Sequence, residues 1–310
     1  MHDDQRLKTL IRHFFADFLA LFFDEWAARL DLTQVEWLDK ELFHDPPEGS
    51  RHELDLVARV PMREPSDPAV DASLLLVHVE IESPDRTTRL TARFPYYYHF
   101  LRDKYQLPVL PIALYLKVGL DGVGIDHCVE ELWGLEINRF QYLYVGLPGL
   151  DSVKYVEGDS WLGVALSALM KIPPERAAWL GAEALRRLAV APLSEQERFL
   201  LGECVQAYLS LDEQQRQQYE HLLESEPYAE GRTMKQTIYE QAVEEGLEQG
   251  LEQGRRQERL DLVCALIEER FSPMTGAIRH ELEQRSAEEL RSLILKVATA
   301  ESLDDLGLGQ

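Results

Sequence analysis

Residues 74–83 read LLLVHVEIES. Consecutive side chains of an extended strand point to opposite faces. Leu74, Leu76, His78, Glu80 and Glu82 therefore share one face, and Leu75, Val77, Val79 and Ile81 the other. One face is wholly apolar and suits a core. The other ends in two neighbouring carboxylates. Like charges repel, so this end of the strand requires a cation, a bound proton or water beside it.

The segments before this strand prepare for it. HELDLVARV (52–60) alternates in the same way, with Glu53, Asp55, Val57 and Arg59 on one face. QVEWLDKELF (34–43) reads as a strand, closed by a turn at Pro46, Pro47 and Gly49. Residues 5–30 read as one helix, because Leu7, Leu10, Ile11, Phe14, Phe15, Phe18, Phe22 and Trp26 recur at helical spacing. Beyond the carboxylates, Arg86 to Lys104 reads as a crossover helix. PVLPIALYLKV (108–118) and FQYLYVGL (140–147) read as further strands. The fold class is α/β: a helix, three strands, a helix and more strands.

After residue 160 the pattern turns helical. Pro173 and Pro174 separate two helices, and Ser194 with Glu197 forms a capping box. Ser286 with Glu289 forms another. In EEGLEQGLEQGRRQE, Gly246, Gly250 and Gly254 recur every four residues. Each weakens a helix by about 1 kcal/mol relative to alanine. The stripe suits either close approach by another helix or an exposed linker. The organisation expected is 1–150 α/β, 151–234 a helical extension, 235–259 a glycine-punctuated helical linker and 260–310 a small helical domain, so the C-terminal half is all-α.

Net charge is −23, from 55 acidic and 32 basic residues. That excludes coating nucleic acid over the whole surface while leaving room for a local basic groove. Cys128, Cys204 and Cys264 lie far apart with no CxxC pair, which suggests neither a zinc site nor a disulfide framework. MHDDQRLK does not read as a signal peptide, and a reducing cytoplasm is expected. The apolar run FFADFLALFF (14–23) falls short of the roughly 20 residues that span a bilayer. It reads as a buried helix, with no membrane partner.

Asp55, Glu80 and Glu82 are the acids with chemistry in reach. If adjacent strands bring Asp55 and Glu80 together, two carboxylates plus a backbone carbonyl suit Mg²⁺. Such an ion activates water and offsets charge on a phosphate. Arg86, Arg89 and Arg93 follow at spacings of three and four, so they share one helix face fit to hold a polyanion. Tyr96, Tyr97 and Tyr98 either pack this helix on the sheet or stack bases. The plain alternative is that Glu80 and Glu82 are the solvated end of an edge strand, salt-bridged to Arg86 and Arg89. On charge pattern both readings stand.

The stretches LIRHFFADFLALFFDEWAARLDLTQVEWLDKELF, RHELDLVARV and LLVHVEIESPDRTTRLTARFPYYYHFLRDKYQLPVLPIALYL occur in order. Over about residues 5–150 they resemble the Rpn family of recombination-promoting nucleases, also described as YhgA-like transposases. That family is similar to the PD-(D/E)XK superfamily, whose core is α-β-β-β-α-β, a mixed sheet flanked by helices. The last 50 residues resemble a small helical domain of unknown function that follows such modules. The resemblance implies a Mg²⁺- or Mn²⁺-dependent DNA endonuclease. It implies Asp55 as the metal-binding aspartate, Glu80 as the acid of the (D/E)XK element and Glu41 as an auxiliary ligand. Glu82 falls in the lysine slot, where Rpn relatives usually carry glutamine. There it becomes a ligand or a base acting on water, or it marks a weakened enzyme. Arg86, Arg89 and Arg93 become phosphate contacts. The alternative is a catalytically weakened module of the same fold that binds nucleic acid or protein. Expected partners are DNA and a second copy through the C-terminal helices. Asp55→Ala and Glu80→Ala are expected to spare stability, because each relieves carboxylate repulsion.

Overall fold

The computed structural model describes residues 2–38, 54–63, 73–82, 90–271, 275–297, 299–300 and 302–308. It divides into two compact units, Met1–Ile238 and Tyr239–Gln310.

The first unit opens with α1 (His2–His13), α2 (Phe15–Phe22) and α3 (Asp24–Ala27), where one helix was expected. Two aromatic pairs explain the breaks. Adjacent residues sit about 100° apart on a helix, so one straight stripe cannot bury both members of Phe14–Phe15 and Phe22–Phe23. All four are buried, at 3–7% exposure. At Phe14 the backbone departs from helical dihedrals (φ −102°, ψ 36°), although its N–H still reaches Leu10 O. At Phe23 it does so again (φ −140°, ψ 49°), with the N–H still on Leu19 O.

The sheet follows: β1 (Glu36–Trp37), β2 (Leu56–Pro61), β3 (Leu74–Glu82), α4 (Leu90–Tyr105), β4 (Val109–Tyr115), β5 (Gly122–Leu132) and β6 (Leu135–Gly146). Its six strands lie in the order β1-β2-β3-β4-β6-β5. β1 pairs antiparallel with β2, and β2 with β3. β3 and β4 are parallel and joined by α4; β4 and β6 are also parallel, with β5 pairing antiparallel to β6 at the edge. The sheet is thus mixed. β5 was not expected, and the strand expected at 140–147 is the second half of a longer β6. Trp133 and Gly134, with φ of 52° and 83°, make the tight β5–β6 turn. Glycine adopts such left-handed geometry freely.

Alternation along β3 holds. Val77, Val79 and Ile81 join Leu56, Ala58 and Val60 of β2 in the large core. Leu7, Leu10 and Ile11 of α1 cover that face. On the opposite face lies α4, whose Leu90, Phe94, Tyr97 and Leu101 recur at four, three and four residues and are at most 4% exposed. Burying each such side chain contributes about 1.5–3 kcal/mol, which fixes α4 over His78 and Glu80. Tyr97 is buried with Val57, Leu76 and Leu101, Tyr98 packs on Phe140 of β6, and Tyr96 is 43% exposed.

Helices α5 (Ser152–Val156), α6 (Trp161–Leu166), α7 (Ala177–Ala189), α8 (Glu195–Tyr208) and α9 (Glu213–Glu224) follow, then the long α10 (Ala229–Arg270). Their apolar stripes enter the same core as the sheet, which runs from Leu7 to Ile238. Ser194 and Glu197 form the expected capping box on α8, and Asp212 with Gln215 forms a further one on α9.

The second unit holds the end of α10, α11 (Gly276–Glu283) and α12 (Ala287–Val297). Leu260, Val263, Ile267, Leu282, Leu290 and Leu293 form its own core. The Ser286 N–H donates to Glu289 Oε2 at 2.7 Å, as the second capping box requires. Gly246, Gly250 and Gly254 lie within α10, with open space where a Cβ would stand. No described helix is long and apolar enough to cross a membrane.

Candidate active site

Asp55 occupies a bend one residue before β2, and Glu80 stands on β3. The ladder pairs Leu56 with Val79, so these acids meet where it ends. Two main-chain bonds fasten them. The Asp55 N–H donates to Glu80 Oε1 at 3.2 Å, and the Ile81 N–H donates to Asp55 Oδ2 at 2.7 Å. Asp55 is 1% exposed and Glu80 0%.

Buried carboxylates need partners, and each acid has a cation. Lys8 Nζ of α1 lies 2.8 Å from Asp55 Oδ1. Arg93 of α4 pairs with Glu82, and its Nε lies 3.7 Å from Glu80 Oε2. His78, fully buried, meets Glu80 Oε1 through Nε2 at 3.0 Å. A carboxylate only accepts, so Nε2–H is the donor. Phe94 and Tyr97 of α4 hold the ring edge-on, with centroids 5.2 and 5.9 Å away. His78 Nδ1 is buried with no hydrogen-bond partner among the described residues.

The cation required beside Glu80 and Glu82 is thus Arg93. Only 7% exposed, it faces the acids rather than solvent. The three acids are not a repelling cluster, and the expectation that alanine at Asp55 or Glu80 relieves strain does not hold: each substitution strands a buried donor or cation. Glu41, Arg86 and Arg89 lie outside the described residues.

A second polar cluster lies on the neighbouring strands. Glu82 is in register with Tyr115 of β4. The Tyr115 and Tyr142 hydroxyls are 3.4 Å apart, and Tyr142 donates to Asp126 Oδ2 at 2.7 Å. Burial, then the bonds to Tyr115 and Asp126, push the Tyr142 phenol far up. Burial likewise raises Tyr115. Both phenols stay protonated at neutral pH and serve as donors.

Lys8 and His78 were not singled out from the sequence. Lys8 lies three residues before Ile11 and seven before Phe15, so it is a charge set on the helix's apolar face, and that was its available signal. His78 was visible on the acid face of its strand.

Among the described residues, no group of three or more His, Cys, Asp or Glu side chains converges to hold a metal. Asp55 and Glu80 do supply two hard oxygen ligands at one strand end, which is the donor chemistry a hard divalent cation takes. Their oxygens are now engaged by Lys8, Arg93, His78 and two main-chain N–H groups. The donor types fit such an ion, which would compete with the Lys8 ammonium at Asp55. Comparison with family models, with curated proteins and with solved structures returned no match.

Proposed function

We propose that this chain is a Mg²⁺- or Mn²⁺-dependent DNA endonuclease of the Rpn type, built on a PD-(D/E)XK core. The observation that carries this reading is the fastening of Asp55 to Glu80 and Ile81 at the end of the β2–β3 ladder. The element order also supports it: leading helices, three strands, a helix and a parallel fourth strand.

In this reading Asp55 and Glu80 hold the metal, with Glu41 as auxiliary ligand. When bound, the metal supplies an acidified water and offsets charge on the scissile phosphate. Glu82 orients that water or takes its proton. His78 and the Asp55 N–H fix Glu80. Arg93 is committed to Glu82 and Glu80, so phosphate contacts fall to Arg86 and Arg89. Hydrolysis is in-line, with no covalent enzyme intermediate.

A second reading, a non-catalytic binding module on the same scaffold, is favoured by two observations. Glu82 stands where the signature has lysine, and Asp55 and Glu80 are almost wholly shielded from solvent. Plasmid cleavage in Mg²⁺ and in Mn²⁺ separates the two. Nicking by the wild type, abolished in folded Asp55→Asn and Glu80→Gln, is expected. A folded wild type that leaves the plasmid intact in both ions would establish the second reading instead.

A further inference from the structure

We infer that Lys8 of α1 supplies, from a different element, the positive charge that the (D/E)XK signature places on the strand and that β3 lacks at Glu82. This rests on the nuclease reading. Lys8 is 9% exposed. Lysines on helices usually lay their stems on apolar surface and keep the ammonium in water. Lys8 instead turns inward, where an ammonium demands a close anion. It finds Asp55 Oδ1 at 2.8 Å.

The other oxygen of that carboxylate accepts from the Ile81 N–H at 2.7 Å. Ile81 stands between Glu80 and Glu82. One carboxylate therefore links the Lys8 ammonium to the main chain beside the residue that would carry the signature lysine. The strand position itself is settled otherwise, since Glu82 is paired with Arg93. Among the described residues, the acids Asp55, Glu80 and Glu82 face the permanent cations Lys8 and Arg93. Lys8 is the cation that meets the aspartate.

Lys8 acts through Asp55 and is a positioning residue. It holds the carboxylate in place and adds positive charge where the attacked phosphate gathers negative charge. Such preorganised charge acts on the transition state more than on the bound substrate. A cation beside a metal ligand also opposes binding of the metal. The role thus predicts opposite signs in two measurements, whereas damage to the fold would push both the same way.

The test uses the full chain as wild type, Lys8→Met, Lys8→Gln and Lys8→Arg. It measures kcat and KM for plasmid nicking, Mn²⁺ affinity by calorimetry without DNA, and melting by circular dichroism. Lys8→Met is expected to lower kcat about 100-fold with KM little changed. Its Mn²⁺ affinity is expected to rise several-fold, and Lys8→Arg to recover a large part of kcat. Lys8→Gln is read in the same way if Lys8→Met fails to fold. Wild-type kcat in a neutral variant, or joint loss of kcat and Mn²⁺ affinity, overturns the role of Lys8 and leaves the nuclease reading intact. A folded wild type that does not nick overturns both.

Discussion

Arg93 answers the question that two adjacent strand-end glutamates pose. Its guanidinium spans Glu80 and Glu82 at 7% exposure. Removing one member of a buried pair strands the other. Arg93→Ala is therefore expected to lower stability by about 3–5 kcal/mol in urea denaturation. Arg59→Ala, which loses a partner in the exposed Glu36, should lower it by less than about 1 kcal/mol. By the same logic Asp55→Ala should destabilise by about 3 kcal/mol or more, because the buried Lys8 ammonium loses its carboxylate. Equal melting of Asp55→Ala and wild type would show that the acids do repel one another. At this scale the face shared by His78, Glu80 and Glu82 was legible, because a period of two needs no tertiary knowledge. The pairing of Lys8 with Asp55 was not. The two residues are distant in the chain, and their contact depends on how α1 lies on the sheet.

The hairpin β5–β6 shows what helix and strand periodicity misses. β5 alternates, but glycines at 122 and 124 and exposed positions along most of its length weaken its apolar signal. Its clearest local mark is the Trp133–Gly134 turn. Gly146 fixes where β6 ends. A Cβ there would meet Leu120 O at 1.6 Å and Asp121 Cα at 2.9 Å, both backbone atoms. Gly146→Ala is expected to destabilise by about 3 kcal/mol or more, since backbone yields less readily than a side chain. Urea denaturation checks this. Helix caps, by contrast, were readable because a capping box spans four residues. The Ser194 hydroxyl, then the Ser194 N–H, hold the Glu197 carboxyl below its ordinary 4.5. A depressed acid stabilises the fold above its unfolded value and loses that contribution as pH falls through the folded value. Ser194→Ala should therefore lower stability by about 0.5–2 kcal/mol at neutral pH. The gap from wild type should narrow as pH falls below 4.5, read from urea curves at several pH values. A gap that widens on acidification would contradict the cap.

At the scale of the whole molecule, the α/β first part and helical second part were legible from composition and period. The extent of the first core was not, because burial of α5–α9 against the sheet's core is long-range. That core closes with Met234 and Ile238, and the core of the second unit begins at Leu260. Residues 1–238 expressed alone are therefore expected to unfold cooperatively within a few degrees of the corresponding transition in the full chain. A molten or aggregated product would contradict an independent core.

The proposed nuclease chemistry requires Asp55 and Glu80 to form one cation-binding point. Crystals soaked in Mn²⁺ and measured at the manganese absorption edge test it most directly. An anomalous peak bonded to both carboxylates, lost in Asp55→Asn, is the predicted result. A map without manganese there, with the Lys8 ammonium still on Asp55, would contradict it.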